Sequence, residues 1–325
     1  MLMKSLPVLL VAAAALSVTA SAAADSVPQV FAPGVISGPA DDEGPTFTPD
    51  GRTVYFFRNN SSDYFIMESH RLKDGWSTPV IAPFSGQWRD LEPALSPDGS
   101  YMIFASTRPI PGSSTPPDGS WGGQPHPGKG GNLWRVDRKG DGWSEPVRLP
   151  DTVNRSFNVF SPTIAANGDL YFMEAAGEGL HFRLFMSALK DGQYQPAVAL
   201  PFTAGQYGGF DAAVAADESY LVYGSNRPPT PAGRSDMFIV FRKDGQWGEP
   251  QVLPDAINAA GPGVELHLSP DGKTLYFSTS KVVGGPGARD GATAKRVLAD
   301  MQSWNNGSLN IWQVDLTDYL KGQQK

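Results

Sequence analysis

One phrase is written out four times in this chain. Phe241–Pro254, FRKDGQWGEPQVLP, has near copies in RLKDGWSTPVIAP from Arg71, DRKGDGWSEPVRLP from Asp137 and ALKDGQYQPAVALP from Ala188. A second phrase recurs out of phase with it. TFTPDGRTVYFFR begins at Thr46, ALSPDGSYMIFASTR at Ala94 and HLSPDGKTLYFSTS at His267, with weaker copies TIAANGDLYFMEA from Thr163 and AVAADESYLVYGSNR from Ala213. Repetition on this scale restricts the fold to repeat architectures, in which each unit buries its apolar face only against its neighbours.

The second phrase is a hairpin signal: an alternating apolar run, a Pro-Asp-Gly or Asn-Gly turn, then a run rich in Tyr, Phe and Val. Such turns need positive φ, which glycine adopts without steric cost. The ADES copy has lost its glycine, so its turn is expected to be built differently. One unit therefore reads strand a, PDG turn, strand b, variable loop, strand c, KDG turn, strand d. Four short antiparallel strands repeated radially predict an all-β fold, a β-propeller. The last unit, ending LNIWQVDLTDYLKGQQK, has no strand d. VPQVFAPGVISG at Val27–Gly38 has the pattern of one and precedes the first strand a. It is expected to pair with the last strand c and close the ring, removing the exposed edges of an open sheet. The prediction is five blades in a single domain, residues 25–325.

Composition agrees and excludes several function classes. Aromatics at 11% supply a core, and 36 Gly with 29 Pro suit a turn-rich chain. Lys4, the apolar run LPVLLVAAAAL and the small residues SAAA read as a secretory signal over residues 1–24, with an apolar stretch too short to span a bilayer. The mature chain is expected to be soluble and periplasmic or secreted, with no membrane insertion. There are no cysteines, hence neither disulfides nor thiol catalysis. The net charge of −7 and the lack of a compact basic stripe argue against nucleic acid as a partner.

The PDG phrases resemble the TolB-like, or PD40 (WD40-like), propeller repeat, and the resemblance covers all five units. It implies the propeller fold and little about function. TolB itself resembles a six-bladed propeller behind an α/β domain. Here there are five units and no such domain, so its envelope partners are not carried over. Related propellers precede the catalytic domain of prolyl-oligopeptidase-like hydrolases, but this chain has no Gly-x-Ser-x-Gly elbow and no second domain.

Antiparallel order places the short a–b and c–d turns at one end of the ring and the variable b–c and d–a loops at the other. The working face is expected on the variable side. Two b–c insertions stand out there. Arg108–Gly131 is rich in Pro and Gly and carries Trp121 and His126. Lys281–Ser308 holds a helix candidate with Ala294, Val297, Leu298, Met301 and Trp304 on one face. Acids precede the strands a: Asp41, Asp42 and Glu43, then Glu92, Asp211 and Glu265, with Ser161 in the third unit. Aromatics of the d–a loops (Trp88, Phe157, Phe160, Tyr207 and Phe210) join them, and Arg58, Arg108 and Arg227 follow the strands b. His267 is expected to share a strand face with Glu265, two residues away.

Three readings fit these residues. The first is a ligand- or protein-binding module, with an envelope protein or a glycan as partner. The second is a glycan-active hydrolase or lyase, which needs one protonated and one ionised carboxyl group. Its candidates are Asp42 or Glu43 as the ionised group and Glu265 as the acid. The third is a Ca²⁺ site at Asp41–Asp42–Glu43, built of hard oxygen ligands. His70, His126, His181 and His267 show no metal-ligand spacing. Recurrence of an acid from unit to unit points to a structural task, such as accepting loop N–H groups. On balance the sequence favours binding without catalysis and without a cofactor.

Overall fold

The computed structural model describes residues 27–177, 179, 181–203, 207–283 and 288–323. The signal segment expected over residues 1–24 lies outside them. Five antiparallel sheets of the expected order form five blades. Blade one contains Asp41–Phe47, Thr53–Asn59, Tyr64–His70 and Val80–Ile81. Blade two contains Asp90–Leu95, Tyr101–Ser106, Asn132–Lys139 and Val147–Arg148. Blade three contains Val159–Ile164, Leu170–Ala176, His181–Ser187 and Val198–Ala199. Blade four contains Phe210–Val214, Tyr220–Ser225, Asp236–Lys243 and Gln251–Val252. Blade five takes Val264–Leu268, Thr274–Thr279 and Asn310–Asp315 from the end of the chain, and its outermost strand is Gln29–Val30. Each innermost strand lies against the next, and that of blade five lies against that of blade one, so the ring is closed.

The closing strand pairs Gln29 with Gln313 and Val30 with Trp312. Beyond it the Phe31 N–H donates to the Ile311 carbonyl at 2.8 Å. Phe31 and Ile36 are buried. The Phe31 ring sits edge-on against Phe47, Trp76 and Tyr276 at 5.4–5.7 Å, wedged between the first and last blades. The strand therefore brings apolar burial to the closure as well as its ladder hydrogen bonds.

The repeated phrases have structural tasks. Trp143 lies edge-on to Tyr55 and Phe84 of the preceding blade, and Trp247 does the same with Tyr171 and Phe202. The asparagine closing LPDTVN and LPDAIN is a latch. Asn258 Oδ1 accepts the Met237 N–H at 2.8 Å, while its Nδ2 donates to the carbonyls of Met237 and Leu253. Asn154 repeats this pattern on Leu133 and Leu149. The ADES turn corrects an expectation. Glu218 sits at φ +57°, and its N–H closes onto the Ala215 carbonyl at 2.8 Å, as the Gly99 N–H does onto Ser96. The turn is the same one, held in the left-handed region by a residue whose carboxylate pairs with Arg242 and accepts the Tyr171 hydroxyl.

Both b–c insertions have structure of their own. Arg108–Gly131 folds back as a small hairpin, Gly119–Trp121 against Gln124–His126. In the other, Gly291–Asp300 is helical, with Asp290 capping the Thr293 N–H. Among the described residues its expected apolar face is only partly covered: Leu298 and Met301 are exposed, Val297 is half-buried, and Trp304 stands edge-on to Trp312.

Candidate functional site

Every innermost strand slips by one residue against its neighbour. The slips fall between Glu43 and Thr46, Leu91 and Ala94, Phe160 and Thr163, Phe210 and Ala213, and Val264 and His267. The first bulged residue has positive φ in all five blades: Gly44 +59°, Glu92 +55°, Ser161 +49°, Asp211 +50° and Glu265 +53°. A bulge re-aims the side chain it carries and breaks the alternation of the strand. Two expectations are thereby corrected. The acids lie inside the strands, and the counterpart of Glu92, Asp211 and Glu265 in blade one is Gly44, while Glu43 holds the register of Leu91 and Phe160. His267 also lies beyond a bulge from Glu265, so the rule that residues two apart share a face does not apply to them. His267 lines a small cavity at the PDG-turn end with Thr46, Ser96 and Thr163, and burial alone pushes it down to about 4.

The bulge acids stitch blade to blade. The Ser161 N–H donates to Glu92 Oε2 at 2.6 Å, and the Glu265 N–H donates to Asp211 Oδ2 at 3.1 Å. Asp211 Oδ1 and Glu265 Oε2 are buried without a hydrogen-bond partner. Glu43, Glu92, Asp211 and Glu265 are close enough to feel one another's charge. Burial, reinforced by neighbouring carboxylates, pushes Glu43 and Glu92 up to about 8. Burial raises Asp211 to about 6, held down in part by the Glu265 N–H and the Ser161 side chain. Glu265 is raised well above the carboxylate range by burial and then by Asp211, Glu92 and Glu43. At neutral pH the centre of the ring is thus largely a set of protonated carboxyls, because so many charges cannot be desolvated side by side.

The remaining candidates are dispersed. Asp42 binds Arg58 at 2.6 Å and accepts the Gly38 N–H; Asp41 accepts the Leu309 N–H; Glu43 accepts from Asn59. These three acids face three different partners. Among the described residues no group of three or more His, Asp or Glu side chains has metal-holding geometry. Arg108 is buried on Asp90 at 2.6 Å and on the Phe84 carbonyl. Arg227 donates to the Tyr223 hydroxyl. Trp88 and Tyr207 are half-buried and line none of the cavities described here.

The variable face does carry a pocket, a cavity of about 390 Å³ between blades one, two and three. Tyr64 and Arg89 form one side, Phe160, Met173 and Phe182 the other, and Leu91, Glu92 and Thr107 complete it from blade two. The insertion supplies Trp121, His126 and Lys129. The His126 ring stacks on Trp121 at 3.8 Å and 10°, locking the hairpin, and Trp121 stands edge-on to Phe160 at 5.5 Å. The insertion is tied down where its end meets blade three. The Gly131 N–H donates to the Phe157 carbonyl, the Ser120 N–H to Asn158 Oδ1, and a Cβ at Gly131 would stand 2.2 Å from the Phe160 ring. Of the residues singled out as ligand-binding from sequence, only Glu92 and Trp121 line this pocket. His126 and Phe160 carried weaker signals. Tyr64, Arg89 and Phe182 carried none, because ring closure brings them together from separate units.

No protein-family model matches the chain, and no curated protein matches it. Solved structures similar to it include TolB from Acinetobacter baumannii, at 14% identity and TM-score 0.48 over 85% of this chain and 54% of that one. This chain thus spans about half the length of that TolB. A putative TolB from Agrobacterium tumefaciens is 15% identical, TM-score 0.47, over 78% of this chain and 77% of that one. The gluconolactonase XC5397 from Xanthomonas campestris is 13% identical, TM-score 0.48, covering 90% of both chains. These likenesses carry no residue roles; the strand pairing itself makes the chain a five-bladed β-propeller.

Proposed function

We propose that the protein is an exported propeller module that binds a small ligand in the pocket between blades one to three, with the Arg108–Gly131 insertion as its outer wall. The observation that carries this reading is the pocket itself. Three aromatic rings and a stacked His–Trp pair border a cavity of about 390 Å³ on the variable face, within the range typical of small-molecule sites. Export is supported by the composition of residues 1–24.

The hydrolase alternative has one observation in its favour. Glu92, pushed up to about 8, borders the pocket as a carboxyl able to donate a proton. Two-carboxylate glycoside hydrolysis needs an ionised partner on the other side of the scissile bond. Among the described residues Glu92 is the only acid lining the cavity, which favours binding over turnover.

The test is a thermal-shift screen of sugars, oligosaccharides and small acids against the wild type, Trp121→Ala and a variant with the insertion shortened. Ligands that stabilise the wild type should lose their effect in both variants, while the unliganded melting temperatures stay close to wild type, since loop length costs little. Ligands that stabilise all three proteins equally would move the site elsewhere.

A further inference from the structure

The charge in the pocket is opposite in sign to that of the protein. On the same face Arg58, Arg108, Arg148 and Arg155 each hold a carboxylate, namely Asp42, Asp90, Asp151 and Glu174. Arg89 and Lys129, the two permanent cations of the pocket, do not: among the described residues neither forms an ion pair. Nearby acids in sequence are engaged elsewhere. Asp90, beside Arg89, is held by Arg108; Asp137, nearest to Lys129, is held by Arg135; and Asp118 accepts the Gly128 N–H at 2.7 Å. Among the described residues Glu92 is the single acid in the wall, and burial pushes it up to about 8, favouring its protonated form at neutral pH. A chain with a net charge of −7 therefore presents a pocket with two uncompensated positive charges.

The geometry of the cations is selective. The Arg89 guanidinium lies over the Tyr64 ring at 4.1 Å. That contact restrains the guanidinium, and a guanidinium edge presents two parallel N–H donors matched to a carboxylate. The opposite side of the cavity is aromatic, with Phe160 and Phe182 near Trp121 at 5.5 and 6.2 Å. Such a wall takes the face of a ring. Each further charge brought into so apolar a space must be stripped of water, so a singly charged group suits it better than a multiply charged one.

Building on the pocket reading above, we infer that the ligand is a small ring-bearing carboxylate, its acid group on Arg89 and Lys129 and its ring against the wall formed by Trp121, Phe160 and Phe182. An acidic sugar and an aryl acid share this chemistry.

Calorimetric titration separates them, using D-galacturonic acid and indole-3-acetate as probes, with D-galactose and indole-3-carbinol as their neutral counterparts. At least one acid should bind about tenfold or more tightly than its neutral counterpart, and added salt should weaken the acid alone. Which acid binds identifies the ring class. Arg89→Met, which keeps a side chain on Tyr64 but removes the charge, should abolish the preference with an unchanged melting temperature. Lys129→Met should reduce it. Neutral counterparts binding as tightly as the acids, with Trp121→Ala abolishing both, would overturn the charge assignment and leave the pocket reading standing. Failure of both acids at about 10 mM, the weak end of specific binding, would overturn the ligand class, and the broader screen then decides the pocket reading separately.

Discussion

The buried acids predict an unusual pH dependence of stability. Glu43 and Glu92, with ordinary values of 4.5, are pushed up to about 8 in the folded ring. Between those values the folded state holds protons that the unfolded chain has released. The stability they represent is complete below the unfolded value and is lost as pH rises through the folded one. His267 acts in the opposite sense. Lowered from 6.5 to about 4, it favours the folded state increasingly as pH climbs through that range and adds nothing above it. The two effects compete in mild acid, and only the carboxyls act from about pH 6.5 to 8. Glu265, raised well above its ordinary value, holds a third proton; three protons held by the folded state give a slope of up to about −4 kcal/mol per pH unit, at about 1.4 kcal/mol per proton. For a domain of this size that is roughly 7 °C of melting temperature per pH unit. Differential scanning calorimetry across this window at constant ionic strength measures it. Glu43→Gln, whose amide oxygen still accepts from Asn59, should remove about a third of the slope. Glu265→Gln should stabilise the protein at about pH 8.5, because the amide carries neither a charge to bury nor a proton that the unfolded chain has released. A melting temperature that is flat or rises over the window, or is unmoved by Glu43→Gln, would show that the central acids are not held protonated.

Gly131→Ala drives a methyl group to 2.2 Å from the Phe160 ring, and is expected to cost about 1–3 kcal/mol and to weaken ligand binding; thermal unfolding beside a binding titration checks both. Asn258→Ala strips three hydrogen bonds from the latch between strands Asp236–Lys243 and Gln251–Val252, with an expected loss of about 2–4 kcal/mol in urea unfolding. Removal of Val27–Gly38 leaves Asn310–Asp315 as an open edge and exposes the Phe31 contact surface. Aggregation in light scattering is the expected result, and a monomer with unchanged melting temperature would contradict the closure.

The fold was legible because its determinants are local and repeated. PDG and KDG turns, period-two strands and a displaced strand d at Val27–Gly38 lie in the order of the chain. The site was only partly legible. A single-residue bulge decides that Gly44 rather than Glu43 matches Glu92; the glycine of DDEGPTF hints at it, but nothing in DLEPAL or VELHL announces that Glu92 and Glu265 stand in the left-handed region. The pairing of Asp42 with Arg58 and of Asp90 with Arg108 removed two arginines from the candidate site, through contacts made across strands. Tyr64, Arg89 and Phe182 meet only because neighbouring blades converge around the ring, a three-dimensional fact with no local signature. Trp121 was visible because the insertion carrying it broke the repeat.

The indole N–H resonances of the eight tryptophans give the most direct test of the pocket. Trp121 borders it, whereas Trp76, Trp143 and Trp247 sit at the KDG hairpins at the other end of the blades. Titration of a nitrogen-15-labelled sample with whichever carboxylate binds should move the Trp121 indole signal progressively and leave the three hairpin tryptophans in place, with Arg89→Met abolishing the movement. Movement of the hairpin signals with Trp121 unmoved would place binding on the opposite end of the ring and contradict the account.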